Sequence, residues 1–132
     1  MGLMTNVQTL ERSVERPARQ AVASPIDRVH LARYTLGNLP LEIEILDLFA
    51  MQAPTTLAEL RGAQTEMAWR DAAHTLKGSA RAVGAKRVGD CAERAESLKG
   101  SSNDVARLSA LEVLSQALGE AIAYIEGLSE KV

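Results

Sequence analysis

The chain has 132 residues, a formal net charge of −2 and a single cysteine, Cys91. That length supports one domain with its own hydrophobic core and no metal or disulfide staple. The charge balance excludes the global basic footprint of a nucleic-acid binder. A lone cysteine excludes an internal disulfide and fits a reducing, cytoplasmic setting.

One Trp, one Phe and two Tyr are the only aromatics, whereas Ala, Leu, Glu and Arg abound, which favours helix over sheet. No segment is expected to reach the roughly 20 apolar residues of a membrane span. Met1–Gln20 lacks a signal-peptide core, being broken by Glu11, Arg12, Glu15, Arg16, Pro17 and Arg19. A soluble cytoplasmic protein is expected.

Residues 1–24 mix charge, Gln, Thr and small side chains without sustained periodicity, and read as a flexible or weakly helical tail ended by Ser24–Pro25. A bundle is expected over residues 25–132. A short first helix is predicted from Asp27 to about Leu36, capped by Asp27 or Ser24, with Ile26, Val29, Leu31 and Tyr34 as apolar contacts. Gly37 and Asn38 end it.

A second helix runs from near Pro40 to about Arg61, its apolar face built from Ile45, Leu46, Leu48, Phe49, Leu57 and Leu60. Pro54 lies within it and should bend it without ending it, because the pattern resumes at Leu57. A third helix spans about Glu66 to Val83, capped by Thr65 and punctuated by Gly84. A fourth runs to Lys99, with Val88, Cys91, Ala92, Ala95 and Leu98 at helical spacing and Gly100 closing it. After a polar turn at Ser101–Asp104, the last helix carries Leu108, Leu111, Leu114, Leu118, Ile122, Ile125 and Leu128 in one long stripe. The expected fold is all-α: an up-and-down four-helix bundle with a short additional N-terminal helix.

The third helix holds an unusual stretch, "AAHTLKGSARAVG", Ala72–Gly84. At about 100° per residue from Ala72, the residues Trp69, Ala72, Ala73, Leu76, Ala80 and Val83 fall between about −20° and about 100° and form a buried stripe. Arg70, His74, Lys77 and Arg81 fall between about 140° and about 200°, on the solvent side, with Gly78 near about 240° and Ser79 near about 340°, beside the stripe. A mid-helix glycine costs about 1 kcal/mol relative to alanine. It either permits close packing against the fourth helix or leaves the imidazole one turn away open to another molecule. A neutral exposed imidazole is a competent nucleophile. If it took a phosphoryl group, Lys77 and Arg81 would supply cations beside the new charge. A lone exposed histidine on a helix is, however, most often an ordinary surface residue.

The string His74-Thr75-Leu76-Lys77-Gly78-Ser79, followed by Gly84, resembles the signature of histidine-containing phosphotransfer (HPt) domains. Cys91 with the aliphatic–acidic pair Ala95–Glu96 resembles the family further on, and Phe49, Gln52 and Leu57 resemble its second helix, so the likeness covers about residues 26–128. Ala80 departs mildly, where many members have a second Ser.

The resemblance implies a phosphorelay intermediate without ATP binding: a phosphoryl carrier, not an enzyme. It would accept a phosphoryl group on His74, at Nε2, from a receiver-domain aspartate and pass it to another. Lys77 would supply electrostatics to the phosphate and Gly78 access. Gln52 would reach the imidazole edge from the second helix, and Arg81, outside the signature, would contact phosphate on geometry alone. Ser79 matches the motif, but its place on the map predicts a local bond to backbone or to the neighbouring helix. The implied partners are response-regulator receiver domains and a hybrid sensor histidine kinase. The magnesium needed would sit on the receiver, and no cofactor or metal is expected on this chain. Docking is expected over the second and third helices, with Leu48, Ala50 and Met51 as contacts, while His30 is read as structural or solvent-exposed.

Two other readings stand beside this one. The first is a helical docking or scaffold module whose histidine is never phosphorylated. The second is a dimeric histidine-kinase-like bundle, which ranks lower because one chain supplies enough amphipathic helices for a monomer. A hydrolase fits least, since His74 has no evident acid partner or oxyanion pocket.

Overall fold

A computed structural model of the chain describes residues 24–99 and 104–131. The expected tail lies outside these residues apart from Ser24, as do Gly100 and most of the polar turn before the last helix. Five helices follow in order: α1 (Arg28–Thr35), α2 (Leu39–Arg61), α3 (Glu66–Ala82), α4 (Lys86–Glu96) and α5 (Asp104–Lys131). Helices α2 to α5 form a ring in which each packs on the next and α5 closes back on α2; α1 leans on α2. Among the described residues there is no strand. The result is the up-and-down four-helix bundle with its extra short helix.

Local chemistry sets the helix starts. Asp27 accepts the His30 amide at 3.1 Å, Asn38 the Leu41 amide at 3.0 Å and Thr65 the Ala68 amide at 3.0 Å, each satisfying a donor that the first turn leaves free. Pro40 sits in the first turn of α2, and Pro54 lies inside that helix, exposed, while the helix continues through it to Arg61.

The core takes Leu46, Phe49, Ala53, Leu57 and Leu60 from α2, the Trp69-to-Val83 stripe from α3, Val88, Cys91, Ala92 and Ala95 from α4, and Leu111, Leu114, Leu118 and Ile125 from α5. The facing surfaces of α3 and α4 are lined with alanines, which lets the two helices pack closely. Gly84 turns the chain between them with φ +85°, and a Cβ there would lie 2.7 Å from the Asp27 carbonyl oxygen. The Asp27 amide donates to the Gly84 carbonyl at 2.8 Å, tying the start of α1 to this turn.

Three expectations need correction. Val29 and Tyr34 of α1, and Leu108 of α5, are exposed, leaving Ile26 and Leu31 to anchor the N-terminal segment in the core. Helix α4 ends at Glu96, short of Lys99. There the Ser97 hydroxyl donates to the Arg94 carbonyl at 2.8 Å, a local bond that competes with helix continuation. Finally, Asp104–Glu130 of α5 is long and apolar enough to cross a membrane by length and composition. That apolarity has a use in the fold, because its Leu111-to-Ile125 stripe is buried against α2 and α4 while Glu112, Glu120 and Glu126 face outward.

Candidate functional site

Trp69, Ala72, Ala73, Leu76, Ala80 and Val83 are all buried, which fixes the rotation of α3. That rotation carries His74 outward, its side chain 67% exposed. One turn on, Gly78 is exposed, and a Cβ built on it would meet nothing within 4 Å. Packing against α4 therefore does not require this glycine. What its bare backbone does is leave the approach to His74 low and open.

The imidazole is not alone. Its Nδ1 lies 2.9 Å from Oε2 of Glu96, the last residue of α4. The other oxygen, Oε1, lies 2.7 Å from Lys77 Nζ. Glu96 and Lys77 are four-fifths covered, with 20% and 21% of their side chains exposed. The carboxyl of Glu96 is held below the usual carboxylate range, first by the Lys77 hydrogen bond, against an opposing burial effect, and then by His74. An ionised carboxylate only accepts hydrogen bonds. Nδ1 must therefore carry the proton it donates, and in the neutral ring the lone pair is left on Nε2, at the exposed end of the imidazole.

This geometry rearranges the expected roles. The side chain holding the imidazole is Glu96, on α4. Gln52, on α2, is exposed, and its side chain has no hydrogen-bond partner among the described residues. Lys77 is not a free mobile cation on the solvent face but one arm of an ion pair. Arg81 is committed elsewhere, lying across Gly89 with its guanidinium 3.3 Å from Asp90 Oδ1 and 2.5 Å from Glu93 Oε1, and Glu93 chiefly raises its pKa further. The Ser79 hydroxyl donates to the Leu76 carbonyl at 3.2 Å, within its own helix. His30 is half-buried on α1, its ring edge-on to Tyr34.

Glu96 is the residue that sequence reasoning left without a role. It lies 22 positions from His74, so no local spacing points to it. The usable signal was topological: His74 stands ten residues before Gly84 and Glu96 twelve after it, and an antiparallel helical hairpin turning at Gly84 brings such positions level.

On α2, Leu48 and Met51 are exposed, whereas Ala50 is half-buried and packs on the core. Leu48, Met51 and Gln52 fall at i, i+3 and i+4, on one face of that helix. A cavity of about 340 Å³ lies elsewhere, between α4 and α5, and is lined by Val88, Cys91, Val113 and Ala117 among others. Among the described residues no group of three or more His, Cys, Asp or Glu side chains is arranged to hold a metal ion.

Comparison with protein families matches the Hpt domain model to residues 44–127, from the second turn of α2 into α5, a span that contains His74, Lys77, Gly78 and Glu96. Searches of curated proteins and of solved structures gave no match.

Proposed function

The chain belongs to the Hpt domain family, the histidine phosphotransfer modules that work with receiver domains in phosphorelays, and from that premise we propose that His74 Nε2 is its phosphoacceptor. The observation that carries this reading is the 2.9 Å contact between His74 Nδ1 and Glu96. It puts the ring proton on the inner nitrogen and leaves the outer one nucleophilic.

The step balances without a general base. The Nε2 lone pair attacks the phosphorus of an aspartyl phosphate on a receiver, the N–P bond forms, and the P–O bond to the aspartate breaks. The aspartate leaves as a carboxylate, and the proton stays on Nδ1, shared with Glu96. As the ring gains positive character, the Glu96 carboxylate stabilises it. Transfer onward to a second receiver is the reverse of these events. Lys77 holds Glu96 ionised and adds a cation to the field around the phosphoryl group.

A receiver would dock over α2 and α3, with Leu48 and Met51 as apolar contacts and the bare turn at Gly78 letting its acidic pocket reach the ring. Transient signalling contacts of this sort are small. The partners we propose are a hybrid sensor kinase's receiver upstream and a response regulator downstream, with magnesium on the receiver and the carrier working in the cytoplasm as a monomer.

The experiment is incubation of the intact protein with a radiolabelled phospho-receiver, and separately with phosphoramidate, followed by intact-mass analysis. Wild type gains one phosphoryl group and His74→Gln gains none while retaining its helical circular dichroism. Labelling that survives His74→Gln would overturn the assignment.

A further inference from the structure

Glu96 occupies a precarious place for a residue that must hold an imidazole. It is the last residue of an 11-residue helix, and helix ends fray. The backbone on both sides of it is tied down by other helices. On one side, the indole Nε1–H of Trp69, on α3, donates to the Ala95 carbonyl at 2.7 Å in a buried hydrogen bond. On the other, the Arg107 guanidinium, on α5, donates to the Leu98 carbonyl at 3.3 Å. The two anchors are themselves stacked, with the Arg107 guanidinium carbon 4.6 Å from the Trp69 ring centroid, and Arg107 also pairs with Glu66 at the start of α3.

We infer that Trp69 and Arg107 are positioning residues which bracket the end of α4, hold Glu96 at His74 Nδ1, and so set the tautomer of His74. Burying Trp69 satisfies packing, and phenylalanine would do that nearly as well; a buried indole finds its value in the N–H, which here is spent on the residue next to Glu96. Arg107 gains little from its Glu66 pair, which is partly exposed. Its bond to the Leu98 carbonyl and its stack on the indole act in the same place from the opposite side. Loss of either anchor frees the last turn of α4. The carboxylate then leaves Nδ1 part of the time, and the ring proton redistributes to Nε2. The consequence for phosphoryl transfer rests on the reading of His74 as acceptor; the effect on the tautomer does not.

The test is ¹⁵N NMR of the His74 ring in the full chain, comparing wild type, Trp69→Phe, Arg107→Met and, as the reference for a lost partner, Glu96→Ala. Wild type is expected to show one dominant Nδ1–H tautomer. Trp69→Phe and Arg107→Met should each raise the Nε2–H share several-fold toward the Glu96→Ala value, with helical circular dichroism preserved and phosphoramidate labelling slowed in step. Arg107→Met keeps an apolar stem over Trp69, so it decides the matter if Trp69→Phe fails to fold. Folded variants with the wild-type tautomer overturn the inference. Absence of labelling in wild type instead counts against His74 as acceptor and leaves the tautomer result standing.

Discussion

Glu96 accepts from His74 Nδ1 at 2.9 Å although 22 positions separate the two residues. Because the acceptor is a carboxylate, the bond selects one tautomer and one ring orientation together. Glu96→Ala should therefore slow phosphorylation of His74 by about tenfold to about a hundredfold, by analogy with the loss of a carboxylate that orients a metal-ligating imidazole. Glu96→Gln should recover part of that rate, since its amide oxygen still accepts from Nδ1 but carries no charge. Both variants should stay within about 1 kcal/mol of wild type in denaturant unfolding, the usual scale for partly exposed ion pairs. Equal rates in the three proteins would remove Glu96 from the mechanism.

Lys77 tests the same carboxylate from its other oxygen. Its hydrogen bond is the largest influence lowering the Glu96 pKa, so Lys77→Ala should raise that pKa toward the ordinary glutamate value of about 4.3. A carboxyl whose folded pKa is depressed stabilises the fold above its unfolded value, and loses that contribution as pH falls through the depressed one. Wild type should thus shed a small part of its stability on acidification below about pH 4.3, and Lys77→Ala should shed less. Side-chain ¹³C NMR titration of Glu96, with melting curves at several acid pH values, measures both. An unchanged Glu96 titration in Lys77→Ala would mean that the 2.7 Å pair does not form in solution.

Helix periodicity alone was enough to place the buried stripe of α3 and hence the outward face of His74, because every member from Trp69 to Val83 is apolar or small and the spacing leaves one rotation. Caps at Asp27 and Thr65 were legible for the same local reason. Glu96 was not, because its partnership depends on how far two helices run from a shared turn, a tertiary quantity. Arg81 was misplaced for a related cause. Its angle on α3 sets it near His74, but Gly89 on α4 opens a path for the side chain toward Asp90 and Glu93, and two carboxylates outcompete an empty surface. Ser79 was legible too, because a hydroxyl at the edge of the stripe has a carbonyl of its own helix in reach, and it donates to Leu76.

The turn between α3 and α4 sets the register on which this pairing depends. Gly84 combines φ +85° with a Cβ position 2.7 Å from the Asp27 carbonyl oxygen, so an alanine there meets both a disfavoured backbone region and a backbone atom. Gly84→Ala should destabilise the protein by more than about 1 kcal/mol, measured by urea unfolding. It should also weaken the His74–Glu96 contact, visible as a second His74 tautomer. A neutral Gly84→Ala would show that the turn adjusts without moving α4.

Gly78 offers the sharpest separation of stability from function. It sits in mid-helix with open space where its Cβ would be, so Gly78→Ala should stabilise the fold by about 1 kcal/mol. Phosphoramidate is small and should still label His74 at close to the wild-type rate. A receiver must bring its own surface down to the ring, and the added methyl group stands one helical turn away on the path of approach. Transfer from a phospho-receiver should therefore slow in Gly78→Ala and slow further in Gly78→Met, while stability does not fall in parallel. Stopped-flow or radiolabel transfer rates set against unfolding curves check this. If Gly78→Met accepts phosphoryl groups from a receiver as fast as wild type does, the open surface beside His74 is not what glycine supplies at this position.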